Sequence, residues 1–123
     1  MNVAPGVRTI GELELIELVA QAVPIIDGRA EDFFEVATLP GAVNIPYGAV
    51  ADHREALDAH PQTIFFCNGP QCPQSPTAIE SLLEEGFPSE QVLYYRGGMH
   101  DWLTLGLPVE AGDPRSVLDL PGK

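Results

Sequence analysis

Short apolar runs alternate along the chain with amphipathic stretches, and Gly or Pro marks most of the boundaries. Apolar runs of four or five residues bounded by turn residues are typical of buried strands. Residues 24–27, 42–45, 63–66 and 91–95 fit this description. The run 63–66 has no polar face, so we expect layers of the protein to cover both sides of that strand.

Between these runs the apolar positions recur every three or four residues, which predicts helices. The predicted helices are residues 12–22, 31–36, 50–59, 76–85 and 99–105. Thr9 and Glu12 form a capping-box pattern, with Thr9 at the N-cap of the first helix. Ser75 would cap the fourth helix ahead of Pro76, and Gly86 would end it.

This alternation over short connections predicts an α/β fold, with a central, mostly parallel sheet of about five short strands and helices on both faces. The length of 123 residues fits a single domain. We expect its core over about residues 9–110 and a loosely ordered tail over 111–123. Ligands of such sheets bind outside the carboxyl ends of the strands. Cys67 directly follows one of those ends.

Charge narrows the choice of partners. Eighteen acidic residues against six Lys and Arg give a formal charge of −12. Such a surface repels phosphate backbones and anionic lipids, so neither nucleic acid nor a membrane is an expected partner. No run approaches the ~18 apolar residues of a membrane span, and the first residues lack a signal-peptide pattern. Two cysteines do not make a disulfide framework, and we expect a cytoplasmic protein.

Both cysteines lie in the turn CNGPQCPQ, between the strand 63–66 and the following helix. A thiol at this point faces backbone N–H groups that have no partner within the helix. Those donors favour an anion, so they stabilise a thiolate and can hold a bound oxyanion or sulfur. Cys67 is therefore placed like a nucleophile. The alternative is a small hydrophobic residue that only packs.

Four segments resemble the rhodanese-like domain family, and they occur in the family's order. The family has a strand ending in Asp-x-Arg, a Pro-Gly-Ala-x-Asn-Ile-Pro segment, a strand with its active-site loop, and a Gly-Gly-x-x-x-Trp-x-x-x-Gly-x-Pro signature. The corresponding segments here are IIDGRAEDFF at 25–34, LPGAVNIP at 39–46, TIFFCNGPQC at 63–72 and VLYYRGGMHDWLTLGLPV at 92–109. The resemblance covers about residues 9–110.

The resemblance implies a sulfurtransferase that carries sulfane sulfur as a persulfide on Cys67 and passes it to a thiol or another nucleophile. It also implies that the loop binds the outer sulfur or the anionic end of the donor. The loop residues concerned are Asn68, Gly69, Pro70, Gln71, Cys72, Pro73 and Gln74. No metal and no organic cofactor is implied. The expected donors are thiosulfate, a persulfide, a polysulfide or a sulfur-carrier protein.

The loop departs from the family's common Cys-x-x-Gly-x-Arg-Ser pattern. It is about two residues longer and carries no cation, so we expect thiosulfate to bind weakly and a persulfide or polysulfide to be preferred. Arg96 could supply the missing charge, or it could pair with an acid. Cys72 could attack a persulfide on Cys67 and close a disulfide, or it could be a bystander. Similar loops occur in rhodanese domains fused to bacterial regulators, which indicates sulfur sensing or trafficking.

Asp27 and Arg29 are interpreted as a structural link beside the loop, and Trp102 as a core anchor. His100 is assigned to the surface, with a place beside the site as the alternative. Two cysteines without a second Cys or His pair do not predict a metal site. Two other functions stay open: a non-catalytic redox or sulfur-sensing module, and a Cys-based phosphatase or arsenate reductase. The latter would need an Arg in the loop, and the sequence has none there.

Overall fold

Five parallel strands form one sheet in the computed structural model, which describes residues 6–69 and 73–113. The strands are β1 Arg8–Ile10, β2 Ile25–Asp27, β3 Val43–Asn44, β4 Thr63–Phe66 and β5 Val92–Tyr95. The helices are α1 Glu12–Ala20, α2 Glu31–Val36, α3 Arg54–Asp58, α4 Gln74–Glu84 and α5 Gly98–Thr104. Two 3₁₀ segments cover Tyr47–His53 and Ser89–Gln91. The predicted α/β fold is confirmed.

The strand order is β1-β5-β4-β2-β3, with every neighbouring pair parallel. From β2 the chain moves outward to β3, and from β4 it moves outward in the opposite direction to β5. The order therefore reverses between β2 and β4. In open parallel sheets, the crevice at such a reversal is where ligands bind.

Alternate residues of the strands feed two separate apolar layers, as the two-residue period of a strand requires. Phe65 packs with α3 and α4 on one face. Ile64 and Phe66 pack with α1, α2 and α5 on the other face. All four residues of β4 are buried, which agrees with the expectation that both faces of this strand are covered.

Two predicted helix caps are wrong. Thr9 lies in β1, where it pairs with Tyr94 of β5, and Gly11 is the N-cap of α1. Pairing with β5 overrides the local capping pattern, and the three-residue strand is too short to show a period of its own. The helix α4 begins at Gln74 and not after Ser75, because Pro73 takes the N-cap position. Pro76 then falls in the first helical turn, where a missing N–H is tolerated.

One further boundary differs from the expectations. The helix predicted over 50–59 is divided into the 3₁₀ segment Tyr47–His53 and the short helix α3. At the end of the predicted core, Thr38 and Glu110 exchange two backbone hydrogen bonds of 2.8 and 3.0 Å, and Gly112 donates to the carbonyl of Phe34. Residues 114–123 of the predicted tail lie outside the described residues. In the part that is described, no helix has the length and apolar character needed to cross a membrane.

Candidate active site

The junction between β4 and the following loop is fixed by the start of α5. Cys67 directly follows β4, and its carbonyl oxygen accepts a 3.0 Å hydrogen bond from the N–H of Met99. The next carbonyl, that of Asn68, accepts a 2.7 Å bond from the N–H of His100. Cys67 is 1% exposed and is one of the buried residues of the core. Its thiol is therefore covered in this conformation.

Gly98 makes this close approach of α5 possible. Its φ is +58°, a conformation that favours glycine. A Cβ added to Gly98 would overlap the carbonyl oxygen of Cys67 and would lie 2.8 Å from the backbone nitrogen of Gly69. The second glycine of the Gly-Gly pair therefore lets two backbone segments touch beside Cys67.

On the other side of β4, a buried ion pair fixes the end of β2. The guanidinium of Arg29 donates to Asp27 through Nε at 3.0 and 3.1 Å and through Nη2 at 2.7 Å. The hydroxyl of Thr38 donates to the same carboxylate at 2.9 Å. Asn44 donates through Nδ2 to the carbonyl oxygens of Asp27 and Arg29. Gly28 lies between the paired residues and donates 2.9 Å to the carbonyl of Phe66, so this network abuts the strand that ends at Cys67.

The N-terminus of α4 carries backbone donors that the helix itself cannot satisfy. The N–H groups of Gln74 and Ser75, the first two helical residues, have no intrahelical acceptor. The side chain of Ser75 is also buried, and its hydroxyl has no hydrogen-bond partner among the residues that the structure describes. A Cβ added to Gly28 would lie 3.3 Å from the Ser75 Oγ. The hydroxyl therefore lies in the crevice between the ends of β2 and β4. A buried hydroxyl without a partner among the described residues marks a candidate ligand-binding position there.

The predicted loop residues are only partly described. Asn68 is exposed, Gly69 is buried, and Pro73 is exposed at the N-cap of α4. Pro70, Gln71 and Cys72 lie outside the described residues. The roles proposed for the loop amides and for Cys72 as a resolving thiol stay predictions.

Arg96 follows β5 directly and is exposed. The pairing with an acid that was considered for it does not occur within the described part of the chain, where the ion pairs involve Arg8, Arg29, Arg54 and His100. Its guanidinium is therefore available near the strand ends. In the same residues there is no group of three or more His, Cys, Asp or Glu able to hold a metal ion.

Sequence reasoning missed one side chain at this site and left a second one open. It treated Ser75 as a helix cap, and it assigned His100 to the surface with a place beside the site as the alternative. The side chain of His100 is exposed, and its backbone N–H bonds to the loop. The signal for Ser75 was its place at the end of the loop, and for His100 its place two residues after the Gly-Gly pair. Neither signal shows that the residue lies near Cys67 in space, because that proximity depends on how α4 and α5 pack beside the end of β4.

Comparison with known proteins adds a family and several relatives. The family described as Rhodanese-like domain matches residues 13–105. An HTH-type transcriptional regulator of Mycobacterium tuberculosis is 30% identical over 95 residues, which cover 77% of this chain and 41% of the regulator. The chain therefore spans less than half the length of that curated relative.

Solved structures share the fold. The thiosulfate sulfurtransferase of Pseudomonas aeruginosa superposes with a TM-score of 0.70 at 24% identity, over 87% of this chain and 21% of that chain. A human single-domain sulfurtransferase gives a TM-score of 0.61 at 22% identity, over 78% of this chain and 95% of that chain. At these identities the likeness concerns the fold alone.

Proposed function

The chain belongs to the rhodanese-like domain family, and from this we propose that it is a sulfurtransferase that carries sulfane sulfur as a persulfide on Cys67. The observation that carries the proposal is the setting of Cys67. It directly follows the central strand β4 where the strand order reverses, and α4 begins at Gln74 after the intervening loop. The first N–H groups of a helix have no acceptor within the helix and favour negative charge, which both a thiolate and a persulfide carry.

The proposed reaction has two displacements. In the first, the thiolate of Cys67 attacks the outer sulfur of a donor persulfide, the donor's S–S bond breaks, and the donor thiolate leaves. In the second, an acceptor thiolate attacks the outer sulfur on Cys67 and releases the Cys67 thiolate. No electrons are gained or lost overall. Because Cys67 is 1% exposed, both steps require local opening around the sulfur.

The preferred donor is a low-molecular-weight persulfide, a polysulfide or a sulfur-carrier protein. No Arg or Lys lies between Phe66 and Ser81, so the loop offers only uncharged donors to an oxyanion such as thiosulfate. Arg96, which directly follows β5, is the candidate for a compensating charge. The reaction is proposed for the cytoplasm, where thiols stay reduced.

Cys72 gives the proposal a second branch. Its thiolate could attack the inner sulfur of the Cys67 persulfide, close a Cys67–Cys72 disulfide and release hydrosulfide. The loss of two hydrogens from the protein mass would mark this step, and Cys72→Ser would abolish it.

A sulfur-sensing module is the second candidate function. The regulator from Mycobacterium tuberculosis matches this chain over only 41% of its length, so in that protein the matching region accompanies other sequence. A sensor would accept sulfur on Cys67 without rapid turnover, and the buried state of the thiol residue fits such slow exchange.

Turnover separates the two functions. The protein is incubated with glutathione persulfide, polysulfide or thiosulfate in separate reactions, with a thiol acceptor in excess, and the persulfidated acceptor is measured over time. We expect many turnovers with the first two donors, few with thiosulfate, and none for Cys67→Ser. A single loading event without turnover would favour the sensor, and equal rates for wild type and Cys67→Ser would refute both.

A further inference from the structure

His100 lies on the first turn of α5, directly beside the loop that follows Cys67. Its N–H donates 2.7 Å to the carbonyl of Asn68. A Cβ added to Gly69 would lie 3.0 Å from the Cβ of His100, so His100 packs against the backbone of Gly69. The Cβ of His100 is therefore held against Gly69, which follows the proposed nucleophile Cys67 by two positions in the sequence.

The ring of His100 is oriented by the next residue. Its Nδ1 lies 3.0 Å from Oδ1 of Asp101. An ionised carboxylate only accepts hydrogen bonds, so Nδ1 donates, and Nε2 of the neutral ring bears the lone pair. The side chain of His100 is 72% exposed, which leaves Nε2 open to an incoming molecule. A carboxylate that orients an imidazole in this tautomer is the arrangement of a general base.

The proposed reaction needs such a base in its second step. An acceptor thiol must lose its proton before it attacks the outer sulfur, and a thiol of ordinary pKa, about 8.5, is only about 3% ionised at pH 7. The loop residues 67–75 contain no side chain that acts as a base near neutral pH apart from the cysteines themselves. His100 is the titratable side chain whose contacts with Asn68 and Gly69 bring it to this loop.

We propose that His100, oriented by Asp101, is the catalytic base that takes the proton from the acceptor thiol. This inference rests on the proposed sulfurtransferase function and assigns its acceptors to the class of weakly acidic alkyl thiols. The proton moves from the acceptor sulfur to Nε2. The acceptor thiolate then bonds to the outer sulfur, the Cys67–S bond breaks, and the proton passes from Nε2 to the departing Cys67 thiolate or to water.

The test separates loading from transfer. Wild type, His100→Gln and Asp101→Asn are first loaded with glutathione persulfide, and the added sulfur is measured by intact mass. Each loaded protein then reacts at pH 7 with an alkyl thiol or with an aromatic thiol that is already ionised. His53→Gln is the matched control, since His53 lies on the 3₁₀ segment of the opposite face and contacts the carbonyl of Ala49.

We expect all four proteins to load equally. About 3% of the alkyl thiol is already ionised at pH 7, so a base can accelerate transfer by at most about 30-fold. His100→Gln should therefore slow transfer to the alkyl thiol by about 10- to 30-fold. Transfer to the aromatic thiol should change by less than about twofold, because no proton has to be removed. Asp101→Asn should give a smaller loss in the same pattern, and His53→Gln none.

Three results would overturn the assignment. Equal slowing with both acceptors would show that His100 only holds the loop. Unchanged transfer to the alkyl thiol would show that another group removes the proton. Failure of wild type to load sulfur would overturn the proposed function itself, and with it the role of His100, before any acceptor is added.

Discussion

The substitution Arg29→Met tests whether the Asp27–Arg29 pair is structural or catalytic. The side chain of Asp27 is 0% exposed and that of Arg29 is 6% exposed. Removing the guanidinium takes away three hydrogen bonds of 2.7 to 3.1 Å. Among the described residues, the carboxylate then keeps only the hydroxyl of Thr38 and one backbone N–H as donors. The carbonyl of Ala37 loses its bond to Nη2 as well.

The expected loss is large on the scale of a small domain. Removing one partner of a buried ion pair destabilises a protein by about 3–5 kcal/mol, since the other charge is left uncompensated. The total stability of a chain of this length is roughly 6–18 kcal/mol. With a urea m-value of about 2 kcal/mol/M, a loss of about 4 kcal/mol lowers the unfolding midpoint by about 2 M.

Urea unfolding followed by circular dichroism measures this loss, and Arg54→Met is the matched control. Arg54 pairs with Glu85 at 2.5 Å, but the two side chains are 47% and 50% exposed, so its loss should be below about 1 kcal/mol. The double variant Asp27→Asn/Arg29→Met should lose less than the sum of its single variants, because the buried charge is gone. Equal midpoints for Arg29→Met and Arg54→Met would show that the buried ion pair contributes no more to stability than the exposed one.

Sulfur loading of the same variant decides between the two roles. If the pair is structural, folded Arg29→Met takes up sulfur at a rate close to that of wild type when measured well below its unfolding midpoint. A variant that keeps its stability but no longer loads would instead make Arg29 a cation of the site.

Three further substitutions have outcomes that the contacts predict. Ser75→Ala should leave stability unchanged or raise it by about 1 kcal/mol, since it removes a buried hydroxyl that has no partner among the described residues. It should also slow sulfur loading severalfold, and destabilisation by more than about 1 kcal/mol would contradict this. Burial, which is the larger cause, and a 2.8 Å hydrogen bond to Glu12 of α1 raise the pKa of Tyr95. The neutral phenol therefore stabilises the fold below pH ~10, and this contribution is lost at higher pH. The stability gap between wild type and Tyr95→Phe should shrink above pH ~10 in urea titrations, and a constant gap would count against it. Gly98→Ala should lose at least about 2 kcal/mol, while Gly106→Ala, also at positive φ but facing open space, should lose about 1 kcal/mol; equal losses would mean that the contact of Gly98 with the loop carries no weight.

The central strands were predictable because each is a short run of consecutive residues without a polar face. The run 63–66 has no polar face, and the structure buries all four residues of β4. The pair Asp27-Gly28, which closes the run 24–27, marks the end of β2 in the same way. A buried strand in the middle of a sheet needs little beyond its own sequence to be recognised.

Features that depend on partners distant in the chain were not predictable in this way. The strand β1 exists because Arg8–Ile10 pairs with β5 more than 80 positions later. The contact of His100 with Gly69 depends on the approach of α5 at Gly98. The burial of the Ser75 hydroxyl depends on where α4 begins, and α4 begins directly after Pro73 despite the local Ser-Pro signal. Local patterns specify elements, and tertiary contacts specify the site.

The most direct test of the account is to locate one added sulfur. Trypsin leaves both cysteines in a single peptide, residues 55–96, so the site is resolved by comparing wild type with Cys67→Ser and Cys72→Ser after exposure to glutathione persulfide. We predict a gain of about 32 Da, the mass of one sulfur atom, which Cys72→Ser retains, Cys67→Ser lacks, and an acceptor thiol removes. Sulfur that stays in Cys67→Ser, or that no acceptor removes from wild type, would contradict it.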